Sequence, residues 1–162
     1  MKSNIIPIRT LRHTESSCRA LKFGSLNVRS LSSTKVDSLL IEIRERPIDV
    51  LLLCETWHDA DSVSIRRLCA EGLSVVERAR PRPRQAEASL AVNHGGVAVV
   101  ATAGVRLASI NTGVKPSTFQ CVGTRVAAGM SSYIVWALLP SLPASLQNCL
   151  MCWISCRRTL TD

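Results

Sequence analysis

With 162 residues, 46% of them hydrophobic and 20% charged, the chain is long enough for one domain with a buried core and too apolar for an intrinsically disordered tail. An aromatic share of 4% leaves core building to aliphatic side chains. A net charge of +8 and a pI near 9.6 favour polyanionic partners, nucleic acid or an anionic membrane surface.

In chain order, residues 1–19 mix basic, Ser and Thr residues without a sustained period and read as a loose leader. The segment lacks the continuous apolar core of roughly 7–15 residues that a signal peptide needs. Ala20 to Val28 reads as the first strand, and Ser30 to Thr34 as a polar turn. Thr34 with Asp37 makes a variant of the capping box, an N-cap hydroxyl and an acid three residues on. Val36, Leu39, Leu40 and Ile43 then fall on one face of a helix that Pro47 closes. Ile48 to Cys54 is a continuous apolar run, which suits a strand covered on both faces.

Ser62 to Glu71 predicts a second helix, with Ile65, Leu68 and Cys69 on one side and Gly72 at its end. Leu73 to Ala79 reads as a strand, and Pro81 with Pro83 forces an extended loop. Gly95–Gly96 opens the strand-like run Val97 to Val100. Val105 to Ile110, Thr118 to Ala127 and Ser131 to Leu139 are three further strands, the last two joined by a hairpin through Ala128, Gly129 and Met130. The order is β-α-β-α-β followed by a β-meander, an α/β chain.

From Pro140 the grammar changes. Three of the seven cysteines fall in this tail, where Leu146, Leu150 and Trp153 recur at the spacing of a short helix. Tyr133 to Ile154 comes nearest to a membrane span, but Pro140, Pro143, Gln147 and Asn148 interrupt it, so no membrane insertion is expected. An odd cysteine count without secretory spacing predicts reduced thiols and an intracellular protein, nuclear or cytoplasmic and not secreted. Cys149, Cys152 and Cys156 lack a fourth ligand nearby, and read as one face of the tail helix in place of a zinc site.

Asn27 stands at the end of the first strand, where an amide is either a turn residue or a group that holds a phosphate oxygen or an attacking water. Glu55 ends an apolar strand. A carboxylate there is costly to bury unless it is paired or bound to a cation, and Mg2+ suits one or two carboxylates plus phosphate oxygens. The alternative for Glu55 is an N-cap or an ion pair with a neighbouring arginine. Trp57 reads as a packing residue, while His13, His58 and His94 do not show zinc spacing. Arg78, Arg80, Arg82 and Arg84 form a dense basic loop, either a solvated face or a set of phosphate contacts that add affinity without reading sequence.

The succession strand–LNVRSL–helix–DVLLLCETW, followed by GGVAVV, resembles the endonuclease/exonuclease/phosphatase superfamily. It looks closest to the apurinic-type endonuclease domain carried by non-LTR retrotransposons, over roughly residues 20–139. The resemblance implies a four-layer α/β sandwich, two mainly antiparallel sheets flanked by helices, with Mg2+- or Mn2+-dependent hydrolysis of DNA phosphodiesters and no small-molecule cofactor. It assigns catalytic roles to Asn27 and Glu55, makes Glu55 the metal ligand of an E-T-W triplet, and places Arg78 to Arg84 where DNA would lie.

Family members continue with a strand ending in Tyr, an Asp-x-Asn motif and a terminal Ser-Asp-His. Here Leu139 stands where the Tyr is expected, neither later motif follows, and the only acid after Glu87 is Asp162. The expected organisation is therefore a leader (1–19), a partial sandwich lacking its C-terminal half (20–139) and a divergent Cys-rich tail (140–162). The general base and the phosphate-binding histidine are missing from it. A non-catalytic basic nucleic-acid-binding remnant, and a fragment not stably folded alone, are the competing readings.

Overall fold

The computed structural model of the chain describes residues 6–10, 20–59, 62–80, 95–111, 113, 119–129, 131–140 and 151–155, with the backbone alone for 6–10, 140 and 151–155. Strand β2 (Lys22–Asn27), helix α1 (Ser33–Glu45) and strand β3 (Val50–Cys54) lay down the first part of the architecture: two parallel strands joined through one helix. The helix forms because Val36, Leu39, Leu40 and Ile43, spaced one turn apart, all become buried. It stops at Glu45, ahead of Pro47.

The expected capping box is not what starts it. Ser32 is the N-cap, in an extended conformation, and Asp37 reaches across to the Arg67 guanidinium of helix α2 (Val63–Ala70). That charged partner takes the carboxylate that would otherwise turn back towards the helix N-terminus.

Five strands make the first sheet in the order β1 (Ile6–Thr10), β2, β3, β5 (Val97–Ala101), β4 (Ser74–Arg78), with β1, β4 and β5 antiparallel to their neighbours and β2 parallel to β3. Every residue of β3 and of β5 is buried, as a continuous apolar run requires. Alternation divides them between two cores. Leu51, Leu53, Ala98 and Val100 meet α1 and Leu68 of α2 on one face. Val50, Leu52, Val97, Val99 and Ala101 face the second sheet, against Val122, Val126, Val135, Ala137 and Leu139. Each fully buried leucine of β3 contributes about 1.5–3 kcal/mol, so the strand that delivers Glu55 is firmly anchored.

The second sheet is antiparallel throughout, in the order β6 (Arg106–Ile110), β7 (Phe119–Ala128), β8 (Ser131–Pro140), β9 (Met151–Ser155). The β7–β8 hairpin turns where the sequence predicts, with Gly129 at φ 56°. Gly123 is there for another reason: a Cβ would sit 2.6 Å from the Trp136 ring, so only glycine lets the indole lie across β7. The chain is thus a mixed α/β protein of two face-to-face sheets with helices over one of them, a partial α/β sandwich.

Two segments differ from the sequence reading. Ile6–Thr10, inside the expected leader, is an edge strand, β1, antiparallel to β2, with a register irregularity between Pro7 and Arg9 that accommodates the proline. Met151–Ser155 is the edge strand β9, not the continuation of a helix through Leu146, Leu150 and Trp153. Both gain backbone hydrogen bonds from an open sheet edge, which needs no side-chain period. Sheet pairing therefore crosses the expected limit at residue 139. Leu146, Leu150, Cys149 and Cys156 lie outside the described residues. Cys54 and Cys121 are buried thiols and Cys69 an exposed one. Among the described residues no helix is long and apolar enough to cross a membrane.

Candidate metal and nucleic-acid site

Register brings one end of the first sheet together. Asn27 lies beside Cys54, Cys54 beside Val97, and Val97 beside Arg78. The turn after β2, the turn after β3, the residues entering β5 and those leaving β4 consequently share one rim. The two parallel strands point their C-terminal ends at it, so side chains far apart in sequence emerge together.

Asn27 and Glu55 meet there. The Asn27 Nδ2 donates to Glu55 Oε1 at 2.7 Å, and Asn27 Oδ1 accepts from the Arg29 amide at 3.2 Å. The carboxylate belongs to a residue only 7% exposed, and no lysine or arginine among the described residues pairs with it. Among the described residues neither the N-cap nor the ion-pair alternative for Glu55 is realised, and an amide is its partner.

The two turns are under backbone strain. Among the described non-glycine residues, those with positive φ are Arg29 (44°), Ser30 (93°), Glu55 (54°) and Trp57 (49°), all on this rim. Each such residue costs on the order of 1–3 kcal/mol and persists only where its surroundings over-determine it. Here the surroundings are visible. Ser30 N donates to Glu55 O (2.7 Å) and Leu31 N to Thr56 O (2.8 Å), while Thr56 N and Trp57 N donate to Gly96 O (3.3 Å) and Gly95 O (2.8 Å). Lys35 Nζ, from the first turn of α1, donates to the carbonyls of Val28 (2.8 Å) and Arg29 (2.6 Å). Ser64 Oγ of α2 donates to Leu31 O.

Arg78 and Arg80 are exposed and stand on the same rim. Arg78 Nη1 donates to Cys121 O at 3.2 Å, tying the basic strand end to the second sheet. Gln120 Oε1, on β7, accepts from Gly96 N at 2.6 Å and joins the second sheet to the entry of β5. Arg82, Arg84 and His94 lie outside the described residues. Gly95–Gly96 is the strand entry the sequence suggests, with φ of 110° and 82° that suit glycine.

His58 is the residue sequence reasoning undervalued. It is 4% exposed, with Nδ1 2.6 Å from Thr56 Oγ1 and Nε2 2.7 Å from Glu77 Oε2 on β4. It lacks zinc-like spacing, but its position three residues after Glu55 was the available signal. Trp57 is half-buried beside it, in keeping with a packing role.

A hard divalent cation fits this donor set through Glu55, whose buried carboxylate lacks a cationic partner among the described residues. The set is sparse: no group of three or more His, Cys, Asp or Glu residues gathers among the described residues to hold a metal ion.

No family model matches the chain, and no curated protein matches it in sequence. Among solved structures, the chain is similar to the 3'-5' exonuclease NExo from Neisseria meningitidis, at 18% identity and a TM-score of 0.44, over 69% of this chain and 39% of that one. A Neisseria 3' phosphatase NExo structure bound to a product DNA hairpin matches at 19% identity and a TM-score of 0.46, over 71% of this chain and 40% of that one. The chain therefore spans about two fifths of the length of these structures.

Proposed function

We propose that this chain is an endonuclease/exonuclease/phosphatase-type domain of retrotransposon origin whose later catalytic motifs are not among these 162 residues. On this reading it holds Mg2+ or Mn2+ weakly through Glu55, meets DNA phosphates through Arg78 to Arg84, and does not complete phosphodiester hydrolysis. Its place is intracellular, nuclear or cytoplasmic. The observation that supports the reading most is the 2.7 Å Asn27–Glu55 bond at the ends of two parallel strands, inside turns that carry four strained residues.

Mg2+ keeps several waters and takes one or two carboxylates plus substrate phosphates, so Glu55 alone can be its protein ligand. When bound, the ion would stabilise charge on a phosphoryl oxygen. Asn27 fixes one carboxylate oxygen through its amide, leaving Oε2 as the further donor. In-line attack also requires a general base and a charge clamp at the phosphate. His58 is occupied by Thr56 and Glu77 and is buried, so it does not reach a reacting phosphate. No acid follows Glu87 before Asp162. Exposed Arg78 and Arg80 equally support a purely DNA-binding remnant, which binds salt-dependently without a cation.

Mn2+ titration separates these readings. Wild type should bind weakly and Glu55→Gln should not; equal binding by the two sinks the metal assignment. In a supercoiled-plasmid assay with Mg2+, both wild type and Glu55→Ala should stay at background. A missing charge-stabilising donor costs on the order of 10²–10³ in rate and a missing general base about 10²–10⁴, and such losses are not additive. Robust nicking by wild type that disappears in Glu55→Ala would refute the incomplete-site reading.

A further inference from the structure

Thr56, His58 and Glu77 form a continuous chain of side chains beneath the rim. A carboxylate oxygen accepts, so His58 Nε2 donates to Glu77 across 2.7 Å, and in the neutral ring Nδ1 accepts from the Thr56 hydroxyl across 2.6 Å. The connectivity is that of a hydroxyl–imidazole–carboxylate nucleophile triad. Its burial is not: Thr56 is 0% exposed and Gly96 packs against its hydroxyl, so no substrate reaches the oxygen. The chain of bonds acts mechanically.

What it holds is the turn that presents Glu55. Thr56 lies between two residues in the left-handed region, Glu55 at φ 54° and Trp57 at φ 49°. Backbone bonds fix this turn from the side of residues 30–31 and from the side of Gly95–Gly96. Side chains close the third side: Thr56 to His58, and His58 to Glu77 in β4, an edge strand of the first sheet. Glu77 itself pairs opposite Ala98 in β5, so its backbone is fixed by the sheet.

We infer that His58 is a positioning residue for Glu55, bracing the strained turn after β3 against Glu77 so that the carboxylate stays aimed at the cation site. This rests on the reading of Glu55 as a metal ligand. Groups that orient a ligand from behind commonly govern metal affinity by 10- to 100-fold, about the range expected here.

The test uses the full 162-residue chain with Mn2+ alone as the probe. His58→Ala and Glu77→Ala should weaken Mn2+ binding about 10- to 100-fold. Glu77→Gln keeps an acceptor oxygen for Nε2 and should stay close to wild type. Equal weakening in Glu77→Gln and Glu77→Ala would mean that the carboxylate acts by charge, and would overturn the bracing role. Should His58→Ala fail to fold, the two Glu77 variants decide the matter, since that side chain is 29% exposed and its loss is milder.

A spectroscopic arm is independent of affinity. In wild type, the imidazole 15N resonances of His58 should show the Nε2–H tautomer and shift on titration with Mg2+; in Glu55→Gln they should not shift. Equal Mn2+ binding by wild type and Glu55→Gln defeats the metal reading and this inference with it. Glu55-dependent binding that is untouched by His58→Ala and Glu77→Ala defeats the positioning role alone.

Discussion

Gly96→Ala, compared with Gly72→Ala, measures how tightly the rim is packed. The two glycines share almost the same positive φ, 82° at Gly96 and 83° at Gly72. Alanine in that region costs roughly 1–2 kcal/mol at either position. Beyond the backbone the sites diverge. A Cβ at Gly72 meets nothing within 4 Å, whereas at Gly96 it overlaps Thr56 Oγ1 and lies 3.3 Å from His58 Nδ1. Neither neighbour can swing away, because both are buried and bonded to each other. Overpacking of this kind adds about 1–3 kcal/mol. Gly72→Ala should therefore cost about 1–2 kcal/mol and Gly96→Ala about 2–5 kcal/mol. In a chain of this size each kcal/mol lowers Tm by about 2–4 °C, so urea and thermal unfolding followed by circular dichroism resolve the pair. Combining Gly96→Ala with Thr56→Ala should cost less than the sum of the single changes, since the clashing atom is gone, with a coupling of about 0.5–3 kcal/mol. Equal losses at Gly72 and Gly96, or strict additivity with Thr56→Ala, would refute the packing described for the rim.

Two further outcomes concern the core and the basic loop. Thr124 is 0% exposed, faces the first sheet from β7, and its hydroxyl has no partner among the described residues; Thr124→Val should raise stability by about 1–3 kcal/mol in urea unfolding, and a loss would show that the hydroxyl is satisfied. Replacing Arg78, Arg80, Arg82 and Arg84 with Ser should flatten the salt dependence of duplex DNA binding, by up to roughly 0.9 in log K per log salt for each phosphate no longer neutralised; an unchanged slope would place the DNA-binding surface elsewhere.

The sequence alone determined those features that depend on neighbours along the chain. The spacing of Val36, Leu39, Leu40 and Ile43 named the buried face of α1, and the unbroken apolar run to Cys54 announced a strand covered on both sides. The hairpin at Gly129 and the stop before Pro47 were equally legible, because turn and helix-end preferences are local. Asn27 and Glu55 were legible as strand-end polar residues, and their meeting followed once the parallel register of β2 and β3 was fixed.

Only the tertiary structure decided which strands are neighbours. It inserted β5 between β3 and β4, and recruited Ile6–Thr10 and Met151–Ser155 to open edges through backbone hydrogen bonds that leave no mark in side-chain periodicity. Asp37 illustrates the same limit: its local reading as a capping acid lost to Arg67, thirty residues away on α2. His58 and Glu77 are the sharpest instance. Nineteen positions apart, they read as a histidine without zinc spacing and one residue of a predicted strand, and become partners because β4 is carried alongside β5 at the register that sets Arg78 beside Val97. Burial preferences are written residue by residue, but a hydrogen bond between distant side chains exists only after topology and register have brought both donors and acceptors to the same end of the sheet.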